Sequence, residues 1–227
     1  MERVKLARGA FALCGAALLI AGIHAAAVRG LADAHYTNAR IVLSPATQAK
    51  RLPAETELAE ARASLREARL LEPSNPHFVE QFARAQEMSA LRLDSRDPAA
   101  RELLVQSLAG LREAALMRPG SPYVWASIAA LKLRLDDMDF EFYGALERAG
   151  RLGPWEPAIQ LVLAEVGFAS WNWLARPAQG WVIEALDRGL LRQQAEIQRL
   201  AKVHRTLPLV CQAARLPPRV AAFCVKN

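Results

Sequence analysis

Apolar positions along this chain follow two regimes. From Gly9 to Val28 they form an unbroken run of twenty residues that carries no charge and is interrupted only by His24. Beyond it they recur at helical spacing, separated by polar residues and punctuated by prolines. Runs of alternating β-branched residues bounded by turn residues are scarce, and alanine, leucine and arginine dominate. The pattern predicts an all-α protein: helices after about residue 54, preceded by one long apolar helix.

Within the second regime three stretches share a register. Leu65-Arg66-Glu67-Ala68 leads to Pro73 and Pro76, Leu111-Arg112-Glu113-Ala114 to Pro119 and Pro122, and Leu146-Glu147-Arg148-Ala149 to Pro154 and Pro157. Two residues past the second proline stands an apolar residue (Phe78, Val124, Ile159), six past it another (Phe82, Ile128, Leu163), and seven past it an alanine (Ala83, Ala129, Ala164). Proline is tolerated in a first helical turn and breaks a helix interior, so each pair ends one helix and starts the next. The following positions lie close to an i, i+4 spacing on one helix face, and the alanine there lets two backbones approach. Gly120 and Gly153 fit the carboxyl end of the preceding helix.

These residues resemble the tetratricopeptide repeat, a helix-turn-helix unit of about 34 residues. The matching positions are Ala68, Ala114 and Ala149, Pro73, Pro119 and Pro154, the small residues Ala83, Ala129 and Ala164, and Trp125 near a helix start. Two departures stand out. Pro76 and Pro122 are 46 residues apart whereas Pro122 and Pro157 are 35 apart, and the extra length is placed most economically in the charged stretch from Arg92 to Arg101. An aromatic is expected in the middle of each first helix, and Gln86, Lys132 and Gly167 stand there instead. The resemblance implies a TPR-like solenoid that binds a protein partner on its concave face. Carried over by position, that groove comprises His77, Glu80 and Arg84, then Tyr123, Ala126 and Arg134, then Leu161 and Glu165.

The apolar run is long enough to cross a bilayer. Arg3, Lys5 and Arg8 before it favour an amino terminus on the cytoplasmic side, with Arg29 weakening the asymmetry. A cleaved signal peptide ending near Ala25-Ala26-Ala27 is the alternative, and both readings export the remaining chain, to the periplasm of a Gram-negative cell. The domain reading is therefore an anchor over residues 1–43, a linker over 44–53 containing Pro45 and Pro53, TPR-like repeats over 54–175, and a helical cap over 176–227. The linker is expected to hold the repeats off the membrane.

The net charge of +6 is unevenly spread. Residues 1–53 carry seven basic and two acidic side chains, residues 54–175 thirteen and eighteen, and residues 176–227 nine and three. A basic carboxyl-terminal tail beside a membrane anchor is placed to touch anionic lipid. Nucleic acid is not expected as a partner, since zinc-finger spacing and an aromatic platform flanked by basic residues are both missing from the sequence. Cys14 lies in the apolar run, whereas Cys211 and Cys224, thirteen apart with Pro217 and Pro218 between them, are candidates for a disulfide in an exported protein.

Candidates for chemistry are few. The four histidines His24, His35, His77 and His204 are scattered, and no metal site, cofactor or catalytic residue is implied. Asp136, Asp137, Asp139 and Glu141 read as a helix start rather than a pair of catalytic acids. Trp155, Trp171, Trp173 and Trp181 read as packing residues, although Trp171 and Trp173 point about 200° apart on a helix, which leaves one exposed. The expected protein is a non-enzymatic, membrane-anchored scaffold in an envelope assembly, with cell-surface polysaccharide biosynthesis or export as its setting. Cytochrome maturation, a pilus or secretion apparatus, and peptidoglycan synthesis are alternative settings, and a glycan-acting enzyme subunit is the opposing class.

Overall fold

The structure is a computed structural model, which describes the backbone of residues 2–226 and the side chains of residues 15–225. The side chains of Arg3, Lys5, Arg8 and Cys14 lie outside the described residues, as does the first part of the apolar run. The described chain is all-helical: α1 (Glu2–Gln48), α2 (Glu55–Leu71), α3 (Pro76–Ala90), α4 (Pro98–Met117), α5 (Pro122–Arg134), α6 (Phe140–Leu152), α7 (Pro157–Ser170), α8 (Arg176–Gly189), α9 (Gln194–His204), α10 (Leu207–Val210) and α11 (Pro218–Lys226), with a 3₁₀ turn over Trp171–Trp173.

The helices pack as successive pairs, α1 with α2, α3 with α4, α5 with α6 and α7 with α8, and the pairs stack through α5 on α7, α6 on α8 and α7 on α9. The proline register sets the helix starts. Pro76, Pro122 and Pro157 each begin a helix, preceded by Asn75, Ser121 and Glu156. The register positions then fill the core: Ala68, Ala114, Ala149, Ala83, Ala129 and Ala164 are each fully buried. Their small side chains bring neighbouring backbones together. A Cβ placed on Gly110 of α4 would lie 3.1 Å from that of Ala83 on α3.

Several expectations are corrected by the packing. The first half of the linker over 44–53 is helical, because α1 runs to Gln48 with Pro45 inside it, and residues 49–54 are non-helical. Ala46 is fully buried, so this segment packs with the body rather than standing apart from it. The extra length between Pro76 and Pro122 is mostly helix: α4 has 20 residues against 13 in α6, while α3 is two longer than α5 and the connection two longer than its counterpart. The boundary at 175 is not a packing boundary either, since α8 pairs with α7 and stacks on α6. Gly153 caps the end of α6 as expected, whereas α4 is capped at Arg118, two residues before Gly120, and neither glycine adopts left-handed backbone. At Gly153 the requirement is space, as a Cβ would sit 2.8 Å from Pro122 and 3.1 Å from Ile159.

Helix α1 supplies the first helix of the first pair. Ala32, Ala39 and Ala46, seven residues apart, are buried, the first two against α2 and α3, with Tyr36 and Leu43 interleaved to give an alternating four- and three-residue spacing. That spacing keeps one seam of a helix facing a neighbour. Their partners are Ala61, Leu65, Ala68 and Phe78, and Asn38 donates to the Ser64 hydroxyl at 2.9 Å. Among the described side chains before this seam, Leu18, Leu19, Ile20 and Ile23 are each about 70% exposed. The described segment Gly15–Gln48 is long and apolar enough to cross a membrane.

At the other end Cys211 and Cys224 form a disulfide, with Cα atoms 5.8 Å apart. It ties the turn after α10 to α11, two helices too short to be stable alone. Arg219 of α11 also pairs with Asp187 of α8 at 2.9 Å.

Candidate functional site

The groove residues separate into two environments. Glu80, Arg84, Arg134 and Glu165 join a charged row that crosses α3, α5, α7 and α9. Glu80 is buried, forms an ion pair with Arg84 at 3.0 Å, and accepts a hydrogen bond from Arg118, in the α4–α5 turn, at 2.7 Å. Arg134 of α5 reaches Glu87 of α3 at 3.2 Å. Burial pushes the Glu87 carboxyl above its usual range, with Arg134 and Arg84 opposing and Glu165 of α7 adding to the rise. The field of Glu165 also reaches Arg199 on α9, whose own main partner is Glu196. The Arg84 Nε is buried without a hydrogen-bond partner.

The remaining positions serve packing. His77 stacks edge-on against Tyr36 of α1 at 4.8 Å between ring centroids, and burial lowers its pKa. Ala126 is buried, and Leu161 is half-buried against the core. Tyr123 lies at the start of α5, where its hydroxyl donates to Glu156 at 2.6 Å. Lys50, just past α1, contributes to lowering the pKa of Glu196 at the start of α9, after the larger effect of Arg199.

Lys132 forms a second cluster, one that spacing did not reveal. Its side chain is fully buried, and its ammonium donates to Asp137 and Asp139 at 2.8 Å each and to Glu141 at 3.0 Å. Burial lowers the lysine pKa, but the three bonds outweigh it and the net shift is upward. For Asp139 burial pushes the pKa up, and the bonds from Lys132 and from the backbone N–H groups of Phe142 and Glu141 carry it below the usual range. Asp139 thus caps α6 as its position implied, and the acidic run also neutralises a buried cation. Glu141 is shared with Arg112 of α4, which donates through Nε at 2.8 Å.

Lys132 occupies the place expected to hold an aromatic, and the three equivalent sites solve that vacancy differently. Gln86 bonds across to Gln106 of α4 at 2.9 Å. Gly167 makes room for Val182 of α8, whose Cγ1 would lie 2.2 Å from an added Cβ.

Two clefts in equivalent register open where successive pairs meet. One, of about 520 Å³, is lined by Leu116, Pro119, Trp125, Ile128, Glu141 and Arg148. The next, of about 220 Å³, includes Arg151, Pro154, Gln160, Trp181, Glu184 and Arg188. In both, the side chain three residues past the second proline closes the turn: Trp125 Nε1 donates to the Pro119 carbonyl at 2.7 Å, and Gln160 Nε2 to that of Pro154 at 3.0 Å. Their charges differ. Arg151 and Arg188 pair with Glu147 and Glu184, whereas Arg148 lies over the Trp125 ring at 4.4 Å with no carboxylate partner among the described residues.

The tryptophan cluster does not converge on a site. Trp171 is buried and Trp173 is 65% exposed, as opposed directions require, but on a 3₁₀ turn rather than an α-helix. No group of three or more His, Cys, Asp or Glu side chains suited to a metal ion is present among the described residues. Comparison with protein-family models, curated proteins and solved structures finds no match to this chain.

Proposed function

We propose that this protein is a membrane-anchored TPR-like scaffold whose stacked helix pairs engage a protein partner in a cell-envelope assembly. The observation that carries the reading is α1: one helix is exposed and apolar over residues 15–28 and becomes the first packed helix over residues 32–46. Such a helix mounts the pairs on a bilayer without a flexible joint. The alanine-proline register supports the TPR-like interpretation, and an exported location is consistent with the Cys211–Cys224 bond. Export or biosynthesis of a cell-surface polysaccharide is the proposed setting.

The charged row of Glu80, Arg84, Glu87, Arg134 and Glu165 is the proposed partner face. Mixed charges read a polypeptide by complementarity and set specificity more than raw affinity. Co-purification of the full chain from detergent extracts tests this. An Arg84→Glu, Arg134→Glu double variant that retains its helical circular dichroism should lose partners recovered with the parent chain, and unchanged recovery would remove the row from consideration. A reporter fused after Asn227 tests topology, since cytoplasmic activity contradicts export.

A further inference from the structure

We infer that the α2–α3 and α4–α5 turns rest on the surface of the same bilayer that α1 crosses, with Leu70 and Leu116 in the lipid headgroup region. The inference rests on the proposed membrane span. Its geometry begins at Arg29, the first residue after the apolar run, whose guanidinium meets Glu72 in the α2–α3 turn at 3.3 Å. That ion pair sets the turn beside the point where α1 leaves the hydrocarbon. Register extends the level outward, because Ala68 and Ala114 are equivalent and Arg69 of α2 bridges to Glu113 of α4. The second turn therefore lies next to the first.

Side chains at this level suit an interface. Leu70 and Leu116, each two residues past the register alanine, are 67% and 84% exposed, and Met117 is 39% exposed beside Leu116. The same position in the third copy is Arg151. Leucine at this position is thus confined to the first two copies, those nearest the span, while in the third turn Leu152 and Trp155 are 45% and 68% exposed. Arg66 and Arg118 flank the two leucines, 69% and 44% exposed at their side chains, and also pair with Glu67 at 4.0 Å and Glu80 at 2.7 Å. Apolar side chains reaching the headgroup–acyl boundary with arginines beside them are the composition of an interfacial surface, and anionic lipid strengthens it. Exposed leucines alone carry no such meaning. What assigns these to lipid is their continuity with the span.

The test uses the full chain in liposomes of phosphatidylethanolamine and phosphatidylglycerol. An environment-sensitive NBD fluorophore is attached to single cysteines at Ile20, Leu70, Leu116 or Phe140 in a Cys14→Ser background. Phe140 is 97% exposed at the opposite ends of the helices and serves as an equally apolar control. Labels at Leu70 and Leu116 should be blue-shifted and quenched by doxyl lipids, as at Ile20, while the label at Phe140 stays aqueous. Emission at Leu70 and Leu116 matching Phe140, with Ile20 still in lipid, would overturn the surface contact and leave the span intact. An aqueous Ile20 would overturn the span, and the inference with it.

Discussion

The two parts of α1 share one uninterrupted backbone and differ in every side chain that matters. Over residues 15–28 the large aliphatic residues are exposed, and over residues 32–46 the buried positions are alanines at seven-residue spacing. A lipid neighbour asks for bulk apolar surface in all directions. A helix neighbour asks for a narrow seam, here one of small residues that allows close approach. The contrast falls within one or two turns of a single helix, and the Arg29–Glu72 pair marks the change.

Deleting residues 1–48 should have the largest effect, because it strips the cover from Ala61, Leu65, Ala68 and Phe78 and leaves an aggregating product. Deleting only residues 1–28 should leave the unfolding midpoint of the remainder close to that of the full chain. Thermal unfolding of both truncations breaks the comparison if they behave alike.

Charge gives a second way to sharpen it. The packed body holds Lys132 inside, satisfied by three carboxylates, whereas the apolar run contains no charge. Lys132→Met should cost roughly 2–4 kcal/mol, at or below the range for a fully buried pair because Asp137 and Asp139 are about half exposed. The sign with pH follows from the carboxylates. The Asp139 and Glu141 pKa values are depressed in the folded state, so their contribution is present above the unfolded carboxylate range and is lost as pH falls through the folded values. For Glu141 the bond from Arg112 is the leading cause, and it survives the substitution. The variant should therefore lose less stability than the parent on acidification, chiefly through Asp139. Denaturant titrations at neutral and acidic pH measure the difference.

Smaller changes probe the seam itself. Ala39→Leu should destabilise by about 1–3 kcal/mol, since added volume between closely packed helices forces side chains or backbone to shift. Leu19→Ala should leave the stability of the packed body unchanged, because Leu19 is 69% exposed and precedes the packed seam. Equal effects in chemical denaturation would erase the distinction.

Much of this organisation was legible in the sequence because it is local. Proline at a helix start and alanine at a close contact act through short-range geometry, and the starts at Pro76, Pro122 and Pro157 and the buried register alanines follow directly. The seam on α1 was not legible, since alanines inside an alanine-rich run announce no partner. Pro45 read as a linker residue although the helix accommodates it. Lys132 and Arg148 were missed for a different reason. Each is defined by contacts brought by folding, with an acidic turn beyond the same helix in one case and with Trp125 on the neighbouring helix in the other. Groove positions carried over by register placed charges on one row, and burial then took Ala126 into the core.

The central claim is that α1 is one rigid element from the span into the first packed pair, about 70 Å long at 1.5 Å per residue. Electron–electron double resonance between spin labels at Ile20 and Arg66, in a Cys14→Ser background and reconstituted in lipid nanodiscs, tests it most directly. A single narrow distance distribution is predicted. A broad distribution would place a flexible joint where the account has continuous helix, and loss of the Ile20 label through cleavage of the amino-terminal segment would contradict the anchor outright.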